Sequence, residues 1–169
     1  MATNSVTLQG NALTLVGNQV EIGQPAPDFT VIDNDMQPVQ LKDFIGKVTI
    51  ISAVPSLDTP VCSAETRQFN ELAGKLSPAV QVVTISMDLP FAQKRWCGAA
   101  KVDRVLTFSD YRDRSFGNSY GVLIDELKLL SRAVFVIDRE GIIQYIQLVP
   151  EIAQEPDYNA VVAAIKELI

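Results

Sequence analysis

Two side chains in this sequence could serve as sulfur nucleophiles, Cys62 and Cys97, and none of its 169 residues is a histidine. Without imidazole the Ser-His-Asp and Cys-His mechanisms are closed, and two cysteines alone cannot complete a tetrahedral zinc site. Chemistry at a cysteine must then use other groups to hold the thiolate, which is the nucleophilic form. The segment Pro55-Ser56-Leu57-Asp58-Thr59-Pro60-Val61-Cys62 supplies candidates. It follows a β-branched apolar run and precedes residues at helical spacing, so Cys62 is expected at a helix start. There, unpaired backbone N–H groups and the positive end of the helix dipole favour a thiolate. Pro60 restrains the turn and Pro55 has no backbone N–H to donate. Thr59, three residues before Cys62, could direct its hydroxyl into the same pocket. Taken alone, Cys62 reads more simply as a thiol packed beneath the helix, with Thr59 as an ordinary cap.

The elements that must position this segment can be read from periodicity. Val6–Leu8 and Leu13–Val16 flank Gly10-Asn11 and predict a hairpin, with residues 18–22 extending it. Residues 28–33 and 39–41 suggest a second pair of short strands around Asn34-Asp35. Val48–Val54 is apolar on both faces, as a strand covered on both sides requires. A helix then begins near Cys62, with Phe69, Leu72, Ala73 and Leu76 on one face, and ends at Gly74–Pro78. Val80–Ser86 is the next buried strand, parallel to the first through a right-handed crossover. Pro90–Ala100 predicts a second helix and Val105–Phe108 a short strand. Ala133–Ile137, the turn Asp138–Gly141 and Ile142–Val149 predict an antiparallel hairpin, and Tyr158–Ile169 a closing helix. This order predicts an α/β chain with a mixed sheet flanked by helices, as in the thioredoxin-like fold, and an N-terminal hairpin extension over residues 1–22. Length predicts one domain over 1–169.

Fourteen basic against twenty acidic residues leave a net charge of −6, and no basic stripe suits nucleic acid or an anionic membrane surface. No apolar run reaches the roughly 20 residues a membrane span needs. The start of the chain lacks the pattern of a secretory signal, so a cytoplasmic location is expected, with a periplasmic one left open. In a reducing compartment two cysteines point more often to catalysis or redox sensing than to a structural disulfide.

Pro55, Thr59 and Cys62 have the spacing of the peroxiredoxin active-site pattern, a Pro followed after three residues by Thr or Ser and after two more by Cys. The sequence resembles that family, and most closely its thiol peroxidase branch of atypical two-cysteine enzymes. The N-terminal hairpin ahead of Gly23–Phe29, the run Pro55–Cys62, Lys94-Arg95-Trp96-Cys97-Gly98 and Arg132–Asp138 carry the resemblance, with Trp96 where many relatives have Phe. The C-terminal resolving cysteine and Gly-Gly-Leu-Gly loop of the typical two-cysteine relatives are missing. The resemblance implies that Cys62 is the peroxidatic cysteine and Cys97 the resolving one. It further implies that Arg132 stabilises the thiolate and polarises the peroxide, that Thr59 hydrogen-bonds thiolate and peroxide, and that Pro55 shields the sulfur from water. An intramolecular Cys62–Cys97 disulfide, recycling by thioredoxin, a homodimer, and no metal, haem or flavin are implied likewise.

Two rivals remain on the residues. A dithiol oxidoreductase of the same fold needs a second cysteine at the helix start, where position 65 is Glu. A redox sensor would use the Cys62–Cys97 pair to change partners without turnover. Two weaker signals are the carboxylates of Asp88 and of Asp110–Asp113, read as solvated loops, and the aromatics Phe44, Phe91, Tyr111, Phe116 and Tyr120 as a possible apolar rim for organic hydroperoxides.

Overall fold

The computed structural model describes residues 5–169. β1 (Ser5–Leu8) and β2 (Asn11–Val16) form the N-terminal hairpin, closed by Gln9 and Gly10 at φ of 51° and 84°. Two consecutive positive-φ residues match the right-handed twist of the strands they join. Residues 18–22 do not extend it. Gly17 turns the chain at φ 107°, where a Cβ would collide with the Asn118 carbonyl, and the Asn18 N–H donates to that carbonyl at 2.7 Å. β3 (Thr30–Ile32) and β4 (Pro38–Gln40) are shorter than their sequence pattern. Between them the Asp33 carboxylate accepts the Asp35 and Gln37 N–H groups and tightens the turn.

β5 (Val48–Ala53), α1 (Pro60–Lys75), β6 (Val80–Ser86), α2 (Pro90–Ala100) and β7 (Val105–Ser109) follow as periodicity suggests. Three short elements carry no strong periodicity and were not foreseen: α3 (Ser115–Tyr120), β8 (Leu123–Ile124) and β9 (Leu129–Leu130). β10 (Ala133–Ile137), β11 (Ile143–Leu148) and α4 (Tyr158–Lys166) complete the chain.

The main sheet has the order β11-β10-β5-β6-β7-β3-β4, with β5, β6 and β7 parallel and β10 antiparallel to β5. All six residues of β5 are buried because both faces of the sheet are covered. Alternation sorts them: Ile51, Ala53, Phe135 and Ile85 point to one core with Phe29 and Phe116, whereas Ile50, Val134 and Val82 meet Phe69 of α1 and Val161 and Ile165 of α4. A second sheet, β1-β2-β8-β9, carries the hairpin beside Ile152. Among the described residues, no helix is long and apolar enough to cross a membrane.

Asp110 departs from its reading as a solvated carboxylate. It is buried, and its two oxygens accept the Phe116 and Gly117 N–H groups at the start of α3. Desolvation raises its carboxyl to about 6, against the pull of those N–H donors. Between pH 3.8 and about 6 the folded chain holds a proton that the unfolded chain, titrating near 3.8, has released. That contribution to stability is complete below 3.8 and is lost as pH rises through about 6. The pH profile of denaturant unfolding should show this decline, and Asp110→Asn should flatten it between those limits.

Candidate active site

α1 starts where its residues dictate. Thr59, extended at φ −87° and ψ 146°, caps the helix by accepting the Cys62 N–H at 3.4 Å, and Pro60 fills the first helical position. The buried stripe of α1 is Cys62, Glu65, Thr66 and Phe69, the spacing of one helix face, so the apolar stripe extends back to the cysteine. Cys62 is fully buried, and the Thr66 hydroxyl donates to its carbonyl at 2.8 Å.

Sheet register delivers the second component. Ala53 of β5 pairs with Ala133 of β10, so Arg132 stands at the end of the sheet where the chain leaves β5 toward Pro55. Arg132 is the largest fully buried side chain. Its Nη2 donates to Cys62 Sγ at 3.2 Å, its Nη1 to Glu65 Oε2 at 2.5 Å, and its Nε to the Ile152 carbonyl at 2.9 Å. Glu65 also accepts the Ser52 hydroxyl at 3.0 Å. Burial pushes the Glu65 carboxyl up, against Arg132 and Ser52, which pull it down. Burial would pull the guanidinium down, but the charges of Cys62 and Glu65 more than offset it, and Arg132 stays a cation.

Above Arg132 lies a cavity of about 310 Å³. Pro55, Thr59, Pro60 and Val61 line one side, Leu8 and Gln9 of the hairpin another, and Ile124, Leu127, Leu129, Ile152 and Ala153 the rest. It is an aliphatic pocket with a cation in its wall. The aromatics proposed as its rim lie elsewhere: Phe44, Phe116 and Tyr120 are in the main core, Phe91 is exposed, and Tyr111 does not line the cavity.

The sequence-predicted residues Pro55, Thr59, Cys62 and Arg132 therefore meet, but Cys97 does not join them. It is half-buried on α2, with its Sγ 3.5 Å from the Thr107 hydroxyl of β7. Burial pushes its thiol up, against the Thr107 hydrogen bond. Its neighbour Trp96 packs on the cluster of Val54, Leu57 and Cys62. Thr59 also differs in detail. Its hydroxyl donates to the Ser56 carbonyl at 2.9 Å and meets Cys62 through the backbone N–H, not through the sulfur.

The redoxin family model matches residues 21–162. The chain is 53% identical over 162 residues to a thiol peroxidase of Halalkalibacterium halodurans, covering 96% of this chain and 97% of that one. This protein belongs to the thiol peroxidases of the peroxiredoxin family. A thiol peroxidase of Bacillus subtilis is 52% identical over 164 residues, covering 97% and 98% of the two chains. A peroxiredoxin-like protein from Aquifex aeolicus, of known crystal structure, superimposes with a TM-score of 0.92 at 46% identity, over 100% of both chains.

Glu65 is the site residue that sequence reasoning missed, having registered it only as the cysteine absent from a dithiol motif. The signal was present, because a glutamate at the spacing of a buried helix stripe needs a cation. Removing it would leave the Arg132 charge buried with too few acceptors. Glu65→Ala should lower the unfolding free energy by about 3–5 kcal/mol. The double variant Glu65→Leu/Arg132→Met should lose much less than the sum of its single changes. Denaturant unfolding of Glu65→Ala, Glu65→Leu, Arg132→Met and the double variant at neutral pH measures both quantities.

Proposed function

We propose that this thiol peroxidase reduces hydroperoxides, hydrogen peroxide and organic hydroperoxides alike, through Cys62 as the peroxidatic cysteine. The observation that carries the reading is the Arg132 fork, which holds Cys62 Sγ and faces the cavity at once. The Cys62 thiolate attacks the terminal, hydroxyl oxygen of the peroxide. An S–O bond forms, the O–O bond breaks, and the leaving oxygen takes a proton to depart as water or alcohol. Negative charge moves from sulfur to oxygen during this step. A cation fixed beside both atoms in a desolvated pocket stabilises that redistribution without reorganising. The ion pair with Glu65 and the bond to the Ile152 carbonyl aim the guanidinium, and Pro55, buried in the cavity wall, keeps water from the sulfur. Thr59 contributes as the helix cap that sets the Cys62 N–H, and it lines the cavity.

The Cys62 sulfenic acid then condenses with Cys97, the other thiol of the chain, and a thioredoxin-type dithiol reduces the resulting disulfide. Two free thiols in the resting chain suit a reducing compartment such as the cytoplasm. Exposed Leu89 and Phe91 at the start of α2 offer an apolar surface to a second copy. The dithiol-oxidoreductase alternative is disfavoured by Glu65, which fills the position of a second helix-start thiol and pairs with Arg132. We further propose that residues 1–169 act as one domain, with the β1–β2 hairpin supplying Leu8 and Gln9 to a wall of the peroxide pocket.

Peroxide consumption with thioredoxin and its reductase tests the assignment. Cys62→Ser should abolish turnover with the fold intact, and activity in that variant would overturn the reading. Arg132→Lys keeps the charge but not the planar fork, and should lose at least about a hundredfold in rate. Cys97→Ser should complete one turnover, fail to recycle, and accumulate sulfenic then sulfinic acid at Cys62 by mass spectrometry. Normal recycling in Cys97→Ser would remove Cys97 from the mechanism while leaving Cys62 in it.

A further inference from the structure

Asp88 lies between the end of β6 and the start of α2, the helix that carries Cys97. It takes no part in the chemistry above, and it is not the solvated loop carboxylate its sequence context suggests. The Ser56 hydroxyl donates to its Oδ1 at 2.7 Å, and the Leu57 backbone N–H to its Oδ2 at 2.8 Å. Both donors belong to the loop that leads to Cys62. From the other side, the buried Ser86 hydroxyl donates to Oδ2 at 2.7 Å. Ser86 Oγ accepts in turn from Nε2 of the fully buried Gln93 of α2 at 3.0 Å. Gln93 uses the same nitrogen to bond the Phe108 carbonyl at 2.7 Å, while its own carbonyl oxygen has no partner. The Ser109 hydroxyl of β7 donates to the Asp88 carbonyl. Beyond Ser56 the path continues through the Thr59 hydroxyl to the Cys62 N–H. An unbroken run of hydrogen bonds thus joins α2, through one carboxylate, to the first turn of α1.

The two steps of the proposed reaction place opposite demands on this connection. Attack on peroxide requires Cys62 to stay on Arg132 beneath the cavity. Condensation requires it to leave. The Cys97 sulfur attacks the sulfenic sulfur, an S–S bond forms as the S–O bond breaks, and the hydroxyl departs with the Cys97 proton as water. A disulfide needs Cα atoms within about 7 Å, whereas each sulfur here is held by its own partner, Arg132 or Thr107. Movement of the segment from Ser56 to Cys62 toward Cys97 is resisted by its two bonds to Asp88, which the Ser86 hydroxyl holds in place from the other side. We infer that Asp88 is a positioning residue that latches the Cys62 loop to the base of α2, favouring attack on peroxide and opposing disulfide formation.

The inference rests on the two-cysteine reading above, and the experiment separates them. Rapid-quench mass spectrometry of the full chain with hydrogen peroxide gives the rate of Cys62 oxidation and the rate of Cys62–Cys97 disulfide formation. Asp88→Asn keeps the shape but turns one acceptor into a donor facing the loop or Ser86. Oxidation should slow by about tenfold while disulfide formation accelerates by a similar factor. Ser56→Ala, which leaves Asp88 two of its donors, should shift both rates in the same directions by less, and it decides the matter should Asp88→Asn not fold. Loss of stability alone does not accelerate one step while slowing the other. If both rates fall together, or neither moves, the latch is wrong and the cysteine roles stand. If the wild type forms no Cys62–Cys97 disulfide, the two-cysteine reading fails and the latch with it.

Discussion

A guanidinium taken out of water and set between a sulfur and a carboxylate is the interaction on which the rest of this structure depends. Removing Arg132 from solvent carries a desolvation cost of several kcal/mol, which is recovered only if the cation finds acceptors with good geometry. It finds Cys62, Glu65 and the Ile152 carbonyl, from α1 and from the segment after β11. Because a planar fork accepts little angular error, the helix, the strand and the following loop must all be placed together. The register of β5 against β10, the proline at the start of α1 and the packing of Phe69 against α4 serve that placement.

The same pair shows why stability and reactivity pull in different directions here. A sulfur and a carboxylate share one guanidinium, and burial still pushes Glu65 upward against it. An apolar replacement would pack as well and cost less desolvation, but it would not hold a sulfur beside a cation at a cavity. The energetic burden of buried charge is carried for geometry. Around it the walls are aliphatic and come from distant parts of the chain, Leu8 from the hairpin and Leu127 and Leu129 from β8 to β9, so the hairpin completes a pocket that the main sheet leaves open.

Much of this was legible in the residues themselves. The strand at Val48, the helix beginning near Cys62, the Pro90–Ala100 helix and the hairpin at Ala133 all follow from strong periodicity and from proline and glycine punctuation. What escaped was short or locally neutral. α3, β8 and β9 span six, two and two residues, too few for a period to show, and they form because Asp110 accepts the first N–H groups of one, β2 offers an edge to β8, and β8 pairs in turn with β9. Residues 18–22 alternate weakly like a strand, but Gly17 and the Asn118 carbonyl turn them aside.

The sequence by itself determined that Cys62 would sit at a helix start, because a helix start is a local property written in Thr59, Pro60 and the spacing that follows. It also determined family membership, through Pro55, Thr59 and Cys62. Only the tertiary structure decided how Arg132, which the resemblance implies, reaches the sulfur, and that Glu65 joins it. Arg132 lies 70 positions from Cys62 and Glu65 lies 67 from Arg132, and no periodicity links residues so far apart. Their meeting is set by the β5–β10 register and by burial; burial also turns Glu65 and Asp110 into fixed acceptors, and converging donors do the same for half-buried Asp88. A carboxylate's role depends on the donors that surround it once water is gone, and those donors come together only when the chain has folded.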